Sequence, residues 1–351
     1  MKKAIIAMSG GVDSSVAAKL LIDANYYCSG VTMQLNSAGD KYASLDAKSV
    51  ADKLNIPFTL LDLRKEFEAE VIERFIEAYE NGDTPNPCID CNKYIKWNLL
   101  FKHMESIGYD YVATGHYAQV VFNKNTGLYE LKKGLDEAKD QSYVLYNLTQ
   151  ENLKHTLLPL GSLSKQETRS IALENGFVNA DKQDSQDICF VPDGDYASFI
   201  EKHTGKSYPV GDFVYKDGKV LGTHKGIIRY TVGQRKGLGL ALPAPAYVCR
   251  KCMEKNQVIL GENSDLFTSR LVANEFNWVS GTAPKSEIYI KAKTRYKHKE
   301  QPAVARVTSN GEVEIIFDQP QRAITTGQSV VLYDGDSVVG GGKITLVESN
   351  V

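Results

Sequence analysis

The chain opens on a short apolar run, Ala4-Ile5-Ile6-Ala7-Met8, which stops at Ser9-Gly10-Gly11. Beyond it Val16, Ala17, Leu20 and Leu21 recur on one side of a helix over 14–24. The same reading predicts a strand over 27–33, a helix over 46–54, a strand over 58–62 and a long amphipathic helix over 64–80. A helix over 92–107 and a strand around 110–113 follow. With 2–8 as the first strand, this alternation predicts a mostly parallel sheet with helices on both faces. Ligands of such sheets bind beyond the carboxyl ends of the strands. Residues 117–132 read as a hairpin turning at 123–127, and Ser164-Lys165-Gln166-Glu167 as a capping box opening a helix that ends near Gly176.

After about residue 195 the texture changes to short β-rich runs punctuated by glycine, among them Gly211, Gly218, Gly222, Gly233, Gly237 and Gly239. Apolar and polar positions alternate over 312–317 and 329–333, which predicts small antiparallel barrels. The expected organisation is an α/β catalytic unit over 1–195, a small central β-rich unit over 196–265 and a C-terminal β-barrel over 266–351.

Composition adds little to this picture: 351 residues, 42% hydrophobic and 24% charged, are ordinary for a globular chain. No apolar run approaches the roughly 20 residues that cross a bilayer, and the opening run is too short for a secretory signal. A cytoplasmic protein without membrane association is expected. The charge distribution changes more. Residues 216–300 carry 16 Lys and Arg against 7 Asp and Glu, within a chain whose net charge is −2. A basic block on an otherwise acidic protein points to a polyanionic partner, with a solvated face as the plainer alternative.

The strongest local signal is Ser9-Gly10-Gly11-Val12-Asp13-Ser14-Ser15, between a strand and a helix. Glycines let backbone approach a phosphate, the serines supply hydroxyls, and the helix N-terminus offers free N–H groups. Asp13 suits Mg²⁺ better than phosphate. No Gly-Lys-Ser/Thr ends the loop, so it is not a Walker loop. It resembles the loop of the ATP pyrophosphatases, which release pyrophosphate and leave AMP on a substrate oxygen. That loop serves amide synthetases and tRNA thiolases alike.

Six cysteines are present, at 28, 88, 91, 189, 249 and 252. In a reducing compartment their catalytic or metal roles outrank a disulfide framework. In Asp83-Thr84-Pro85-Asn86-Pro87-Cys88-Ile89-Asp90-Cys91-Asn92-Lys93 the prolines suggest an extended approach, with Asn92 capping the next helix. Cys91 would then sit at a helix N-terminus with Lys93 nearby, both of which lower a thiol pKa. Cys189, between Ile188 and Phe190, reads on its own as core packing.

Together these segments resemble the tRNA-specific 2-thiouridylase family, nearly end to end. The likeness also runs through Thr114-Gly115-His116-Tyr117-Ala118, Lys139-Asp140-Gln141-Ser142-Tyr143, 184–190, Tyr230-Thr231-Val232-Gly233-Gln234-Arg235-Lys236-Gly237-Leu238-Gly239 and 292–296. It implies an adenine nucleotide alpha-hydrolase-like first domain. It implies that Cys91 is the nucleophile and Cys189 the carrier of a persulfide intermediate, the two being able to join as a disulfide. ATP would be held by Ala7, Met8, Ser9, Gly10, Gly11, Val12, Asp13, Ser14, Ser15, Met33 and Gly115. Lys139, Asp140, Gln141, Arg295 and Tyr296 would touch tRNA, and Asn86, Pro87 and Cys88 would lie beside the target base. The product would be 2-thiouridine at the wobble position of the Lys, Glu and Gln tRNAs, with sulfur from a cysteine desulfurase or a relay protein.

One departure is plain: better-known members of the family carry Asp where this chain has Cys88. Asp90 is a candidate substitute, although neighbouring positions of an extended chain point differently. Cys88-x-x-Cys91 with Cys249-x-x-Cys252 makes a formal zinc pattern, disfavoured because the second pair falls in an ordinary strand and turn. An iron–sulfur cluster on Cys88, Cys91 and Cys189 stays open as a less favoured cofactor. The rival functions are an amide synthetase, which would need neither Cys91 nor Cys189, and a non-catalytic RNA-binding protein.

Overall fold

The computed structural model describes residues 1–35, 40–183 and 188–348; the side chains of 40 and 41 are outside this description. Asp184–Asp187, part of the second cysteine segment, therefore lie outside the described residues.

Strands β1 (Lys3–Ala7), β2 (Tyr27–Gln34), β3 (Phe58–Asp62), β4 (Tyr111–Ala113) and, after the hairpin β5 (Ala118–Asn123) and β6 (Leu128–Lys133), β7 (Thr156–Leu157) share out the first domain. Five of them form a sheet in the order β3-β2-β1-β4-β7, every pair parallel. Side chains of β1 alternate between two cores, as the period of a strand requires. Ala4, Ile6 and Met8 pack with helix α1 (Val12–Asp23) and with Ala47, Val50 and Ala51 of α2 (Asp40–Lys53). Ile5 and Ala7 pack on the opposite face with Leu100, Phe101 and Met104. Helices on both faces explain why β1 is apolar throughout.

The expected helix over 64–80 is continuous but includes a π segment, Glu68–Ile72. The expected helix over 92–107 begins earlier, at Pro87, and its stretch Cys91–Leu100 is also π-helical. Pro87 occupies a first-turn position where its missing N–H costs nothing.

A helix not read from the sequence, Tyr196–Thr204, opens the second domain, capped by the Asp195 carboxylate accepting from Ser198 N (3.0 Å) and ended by Gly205 at φ +67°. Strands β8 (Gly211–Tyr215), β9 (Val220–His224), β10 (Tyr247–Cys252) and β11 (Gln257–Gly261) form a sheet in the order β10-β11-β8-β9. Its central pair, β11 and β8, is parallel, against the all-antiparallel expectation. Two hairpins meet here across a long excursion, which no local pattern announces.

The C-terminal strands β12 (Phe267–Trp278), β13 (Ile288–Lys293), β14 (Gln301–Val307), β15 (Val313–Arg322), β16 (Ser329–Asp334) and β17 (Ser337–Val347) close into a six-stranded antiparallel barrel through β12–β17 pairing. The β5–β6 hairpin of the first domain meets β17 at Lys132 and Ser337. An apolar core of Trp97, Leu131, Tyr143, Leu145, Val331 and Tyr333 joins barrel to α/β domain. The loop before Pro87 is clasped by the barrel: Thr84 N donates to Thr326 O (3.0 Å) and Gln328 Nε2 to Thr84 O (2.6 Å). No helix among the described residues is long and apolar enough to cross a membrane.

Candidate functional site

The nucleotide loop leaves the carboxyl end of β1, the edge that a parallel sheet offers to ligands. Thr32 Oγ1 donates to Met8 O (2.6 Å), tying the strand end down. Gly10 has φ +74°, and a Cβ there would lie 2.2 Å from Ala43 O, so only glycine fits. Gly11 is the N-cap of α1. Ser14 Oγ and Ser15 Oγ both donate to Gly11 O (3.1 Å), and Ser9 N donates to Ser14 Oγ (3.2 Å). Asn179 Nδ2 donates to Gly10 O and Ser15 Oγ (3.0 Å each), bracing the loop from outside.

Gly115 meets this loop backbone to backbone: a Cβ would stand 2.8 Å from Asp13 C and Ser14 N. The two segments assigned to ATP by resemblance are therefore adjacent. Met33, also in that set, is half-buried near the end of β2 and packs in the core with Ile5 and Val31.

Asp13 is already engaged. Its carboxylate accepts from Lys165 Nζ (2.7 and 2.9 Å) and from Tyr117 OH (2.9 Å). Lys165 supplies the positive charge that a bound magnesium ion would bring. Groups of three or more His, Cys, Asp or Glu fit to hold a metal are absent among the described residues. These residues do not build a magnesium cage, and Asp13 is a Lys165 partner here rather than a metal ligand.

The cysteine helix differs from expectation in its start and in its electrostatics. Asn86, not Asn92, is the N-cap, its Oδ1 accepting from Cys88 N (3.2 Å). Asn92 is buried, donating Nδ2 to Val144 O (2.8 Å). Cys91 accordingly lies beyond the first turn, where the dipole has faded. Burial pushes its thiol up to about 11, with only Lys96 opposing; the expected lowering is reversed. Lys93 does not serve the thiol either, because its Nζ pairs with Glu275 (3.0 Å).

Cys88 has an exposed surface, yet crowding by surrounding protein raises its thiol pKa, again opposed by Lys96. Asp90 is helical, so it and Cys88 point roughly 200° apart on the helix wheel. Burial raises the Asp90 carboxyl to about 6, opposed by Arg74, Lys93 and Lys343. Asp90 therefore does not present its carboxylate where Cys88 presents its thiol.

Cys189 is exposed while its neighbours are held inward, contrary to the core-packing reading. Phe190 packs edge-on against Phe67 and Phe75, with ring centroids 5.8 and 5.2 Å apart. Ile188 and Cys91 pack against the same apolar cluster, so the two cysteine segments converge on one core.

The tRNA-assigned residues are structurally employed. Asp140 Oδ1 accepts from Gly134 N and Ser142 N, and Gln141 Oε1 from Tyr117 N (3.0 Å). Lys139 N donates to Asp136 O (2.9 Å) in the turn before them. Tyr296 is half-buried, its hydroxyl pushed up to about 12 by burial and by the nearby Asp140 and Cys88. It thus brings the barrel beside the cysteine helix. Arg295 donates from Nη2 to Val232 O (3.2 Å), Ala323 O (3.0 Å) and Thr325 Oγ1 (2.6 Å), stitching the central domain to the barrel. It lines a cavity of about 440 Å³ with Arg229, Gln234, His298 and Arg322.

Sequence reasoning missed Lys96, His116 as a side chain, Lys165 and Asn179. Only Lys165 had a signal, its place at the first position after the Ser164 cap, with its side chain reaching Asp13.

A nucleotide loop on a parallel sheet, two cysteine segments packed against one core and two following β domains define a multidomain nucleotide-dependent transferase. Family models described as tRNA methyl transferase HUP domain, tRNA methyl transferase PRC-barrel domain and Aminomethyltransferase beta-barrel domain match residues 2–193, 197–262 and 268–344. A tRNA-specific 2-thiouridylase MnmA of Lachnoclostridium phytofermentans is 48% identical over 356 residues, covering 98% of this chain and 99% of that one. The protein of the same name from Clostridioides difficile is 48% identical over 353 residues, covering 98% of each. The chain belongs to the tRNA-specific 2-thiouridylase family. Among solved structures, a 4-thiouridine synthetase–RNA complex with bound ATP aligns at 18% identity and TM-score 0.38, covering 58% of this chain and 50% of that one, too loosely to carry an argument.

Proposed function

We propose that this protein uses ATP to adenylate the 2-oxygen of a tRNA uridine and replaces it with sulfur, giving 2-thiouridine. The protein is a tRNA-uridine 2-sulfurtransferase. One observation carries the reading: Gly115 abuts the nucleotide loop, and the next residue, His116, contacts Lys96 on the cysteine helix. The nucleotide and thiol sites are thereby parts of one centre. The family descriptions speak of methyl transfer and the relatives' names of thiolation; two converging cysteine segments suit sulfur chemistry.

The loop of Ser9–Ser15 receives the phosphates, and Mg²⁺ enters with the nucleotide rather than in a protein cage. The uridine O2 attacks the α-phosphate and pyrophosphate leaves. A carbonyl oxygen is a poor leaving group, whereas AMP is a good one. The terminal sulfur of a Cys189 persulfide attacks C2 and AMP departs with the oxygen. Cys91 thiolate then attacks the Cys189 sulfur, forming a Cys91–Cys189 disulfide and releasing the thiouridine sulfur. An external thiol reduces the disulfide, and a cysteine desulfurase or a relay protein reloads Cys189. The exposure of Cys189 supports access by such a donor. An iron–sulfur cluster is not needed for this sequence of steps.

The units 1–195, 196–265 and 266–351 divide the labour, the first performing chemistry and the other two gripping tRNA by backbone and shape. The target base, assigned to the wobble position of Lys, Glu and Gln tRNAs, leaves the anticodon stack to reach Asn86, Pro87 and Cys88. A tRNA substrate and working thiols suit the cytoplasm.

Nucleoside mass spectrometry tests the proposal. Cys91→Ser and Cys189→Ser each eliminate 2-thiouridine, because a hydroxyl neither carries sulfane sulfur nor attacks a persulfide at neutral pH. Cys249→Ser leaves it intact. Thiolation by Cys189→Ser with free sulfide excluded removes the persulfide route.

A further inference from the structure

The helix carrying Cys88 and Cys91 also carries Lys96, a cation with no part in the nucleotide loop or in the proposed tRNA contacts. Lys96 Nζ donates to Asn92 Oδ1 (2.9 Å) and lies 3.4 Å from His116 Nε2. His116 is buried, and its Nδ1 lies 2.7 Å from Thr114 Oγ1. Burial and the adjacent Lys96 hold its pKa well below the ordinary imidazole value, so it is neutral. With Lys96 donating, Nε2 is the acceptor and Nδ1 carries the hydrogen toward Thr114. Asn92 is itself fixed, its amide donating to Val144 O (2.8 Å). Two neutral acceptors on rigid supports therefore hold an ammonium whose charge is not cancelled by a carboxylate in any of these contacts.

The π-helical course of Cys91–Leu100 matters to its aim. In an i→i+5 helix residues five apart lie nearer one side than in an α-helix, so Lys96, bonded to Asn92, shares the side of the helix on which Cys91 lies. Lys93, closer in sequence, is turned to Glu275. The groups acting on Cys91 are Lys96, Cys88 and Asp90, all on its own helix. Around them, Arg74, Glu275 and Lys343 surround Asp90, and Tyr296 stands by Cys88. Among the described residues, Lys96 is the cation that favours the Cys91 thiolate, and its Nζ is fixed beside Cys91 through the bond to the adjacent Asn92.

We propose that Lys96 is a positioning residue for the sulfur chemistry: held by Asn92 and His116, its ammonium stabilises Cys91 as the thiolate that attacks Cys189. The thiol proton leaves to solvent. The assignment of Cys91 as attacker rests on the proposed function; the electrostatic pairing of Lys96 with Cys91 does not. Because His116 follows Gly115, the same contact links this charge to the nucleotide loop.

The test is alkylation of the full-length protein by iodoacetamide without ATP, tRNA or sulfur donor. Peptide fragmentation separates modification at Cys88, Cys91 and Cys189. Lys96→Gln keeps a side chain able to donate to Asn92 and His116 but removes the charge, and Lys96→Arg keeps the charge. Below the thiol pKa, the rate follows the thiolate fraction. Cys91 alkylation near pH 8 should fall about tenfold in K96Q, the lower end of what a neighbouring opposite charge does. It should stay within about twofold of wild type in K96R, whose charge persists. Cys189, exposed on another segment, should react equally in all three and reports on the fold. A wild-type pH profile for Cys91 in K96Q overturns the proposal. So does K96R reacting as slowly as K96Q, or a parallel fall at Cys189. Thiolation lost in Cys91→Ser but an unchanged Cys91 profile in K96Q would sink this role and leave the proposed function standing.

Discussion

Gly115→Ala is the substitution that most directly tests whether the nucleotide loop works as the geometry implies. A Cβ at 115 would lie 2.8 Å from Asp13 C and Ser14 N and 3.0 Å from Asp13 Cβ. Ordinary contact needs about 3.5–4.0 Å between carbons, so one backbone must retreat by roughly 0.7 Å or more. Neither can do so freely. Asp13 and Ser14 lie in the first turn of α1, and Ser14 is held by Gly11 O and Ser9 N. Residue 115 sits between Thr114 and His116, both buried. Overpacking of this kind costs about 1–3 kcal/mol of stability. The functional cost is larger, because a displacement approaching 1 Å in a positioning element reduces rate by about 10²-fold. G115A should therefore remain folded with a modestly lowered melting temperature and release pyrophosphate at roughly a hundredth of the wild-type rate. Its tRNA affinity should hold, since the basic block lies elsewhere. Pyrophosphate release coupled to a colorimetric assay reads the first effect, and filter binding the second. Wild-type pyrophosphate release by G115A would refute the close approach as a determinant of the loop.

Two further outcomes are expected. Asp90 titrates at about 6 in the fold against a model-compound value of 3.8, because burial disfavours its charged form. The folded state then binds the proton more tightly, so stability is greatest below about pH 4, declines as pH rises to about 6, and carries the full penalty above that. Asp90→Asn should raise the melting temperature at pH 8 and leave it nearly unchanged at pH 4, by at most about 3 kcal/mol; equal effects at both pH values would refute it. Arg295→Ala and Lys236→Ala should separate two kinds of basic residue. Arg295 stitches Val232 to Ala323 and Thr325, so its loss should lower thermal stability by about 1.5–3 kcal/mol. Lys236 is exposed, and its loss should leave stability intact while reducing the log–log salt slope of tRNA binding by roughly 0.7–0.9. Melting curves and filter binding across a salt series decide, and an unchanged slope in K236A would remove that phosphate contact.

The first domain was legible because its signals are local. The unbroken apolar run of β1 and the helical spacing in α1 each follow from a few neighbouring residues, and the glycine loop between them needs only its own backbone. Local reading failed where a residue has two uses. Pro87 suggests extended chain from sequence, yet it is equally at home in a first helical turn, and Asn86 beside it is the cap. The helix Tyr196–Thr204 hid in a glycine-rich half, although Asp195 and Gly205 mark its two ends. The parallel β8–β11 pair joins residues some forty positions apart, and no periodicity encodes such a partner.

The thiol of Cys91 shows why site chemistry is harder to read than site location. From sequence, a helix N-terminus and a nearby lysine argue for a lowered pKa. A helix dipole is worth about 0.3–1 kcal/mol and fades within one turn. Burial moves this thiol from 9.0 to about 11, which is about 3 kcal/mol against the thiolate. The larger quantity is set by residues remote in sequence, including Phe190 and Val191, which share the cluster that Cys91 packs against. A thiol so placed is inert until something favours its anion, and among the described residues Lys96 is the cation proposed for that purpose. Its aim depends on a π-helical turn and on His116, twenty residues further on. A motif thus locates the proposed nucleophile, but the means of activating it belong to the tertiary structure.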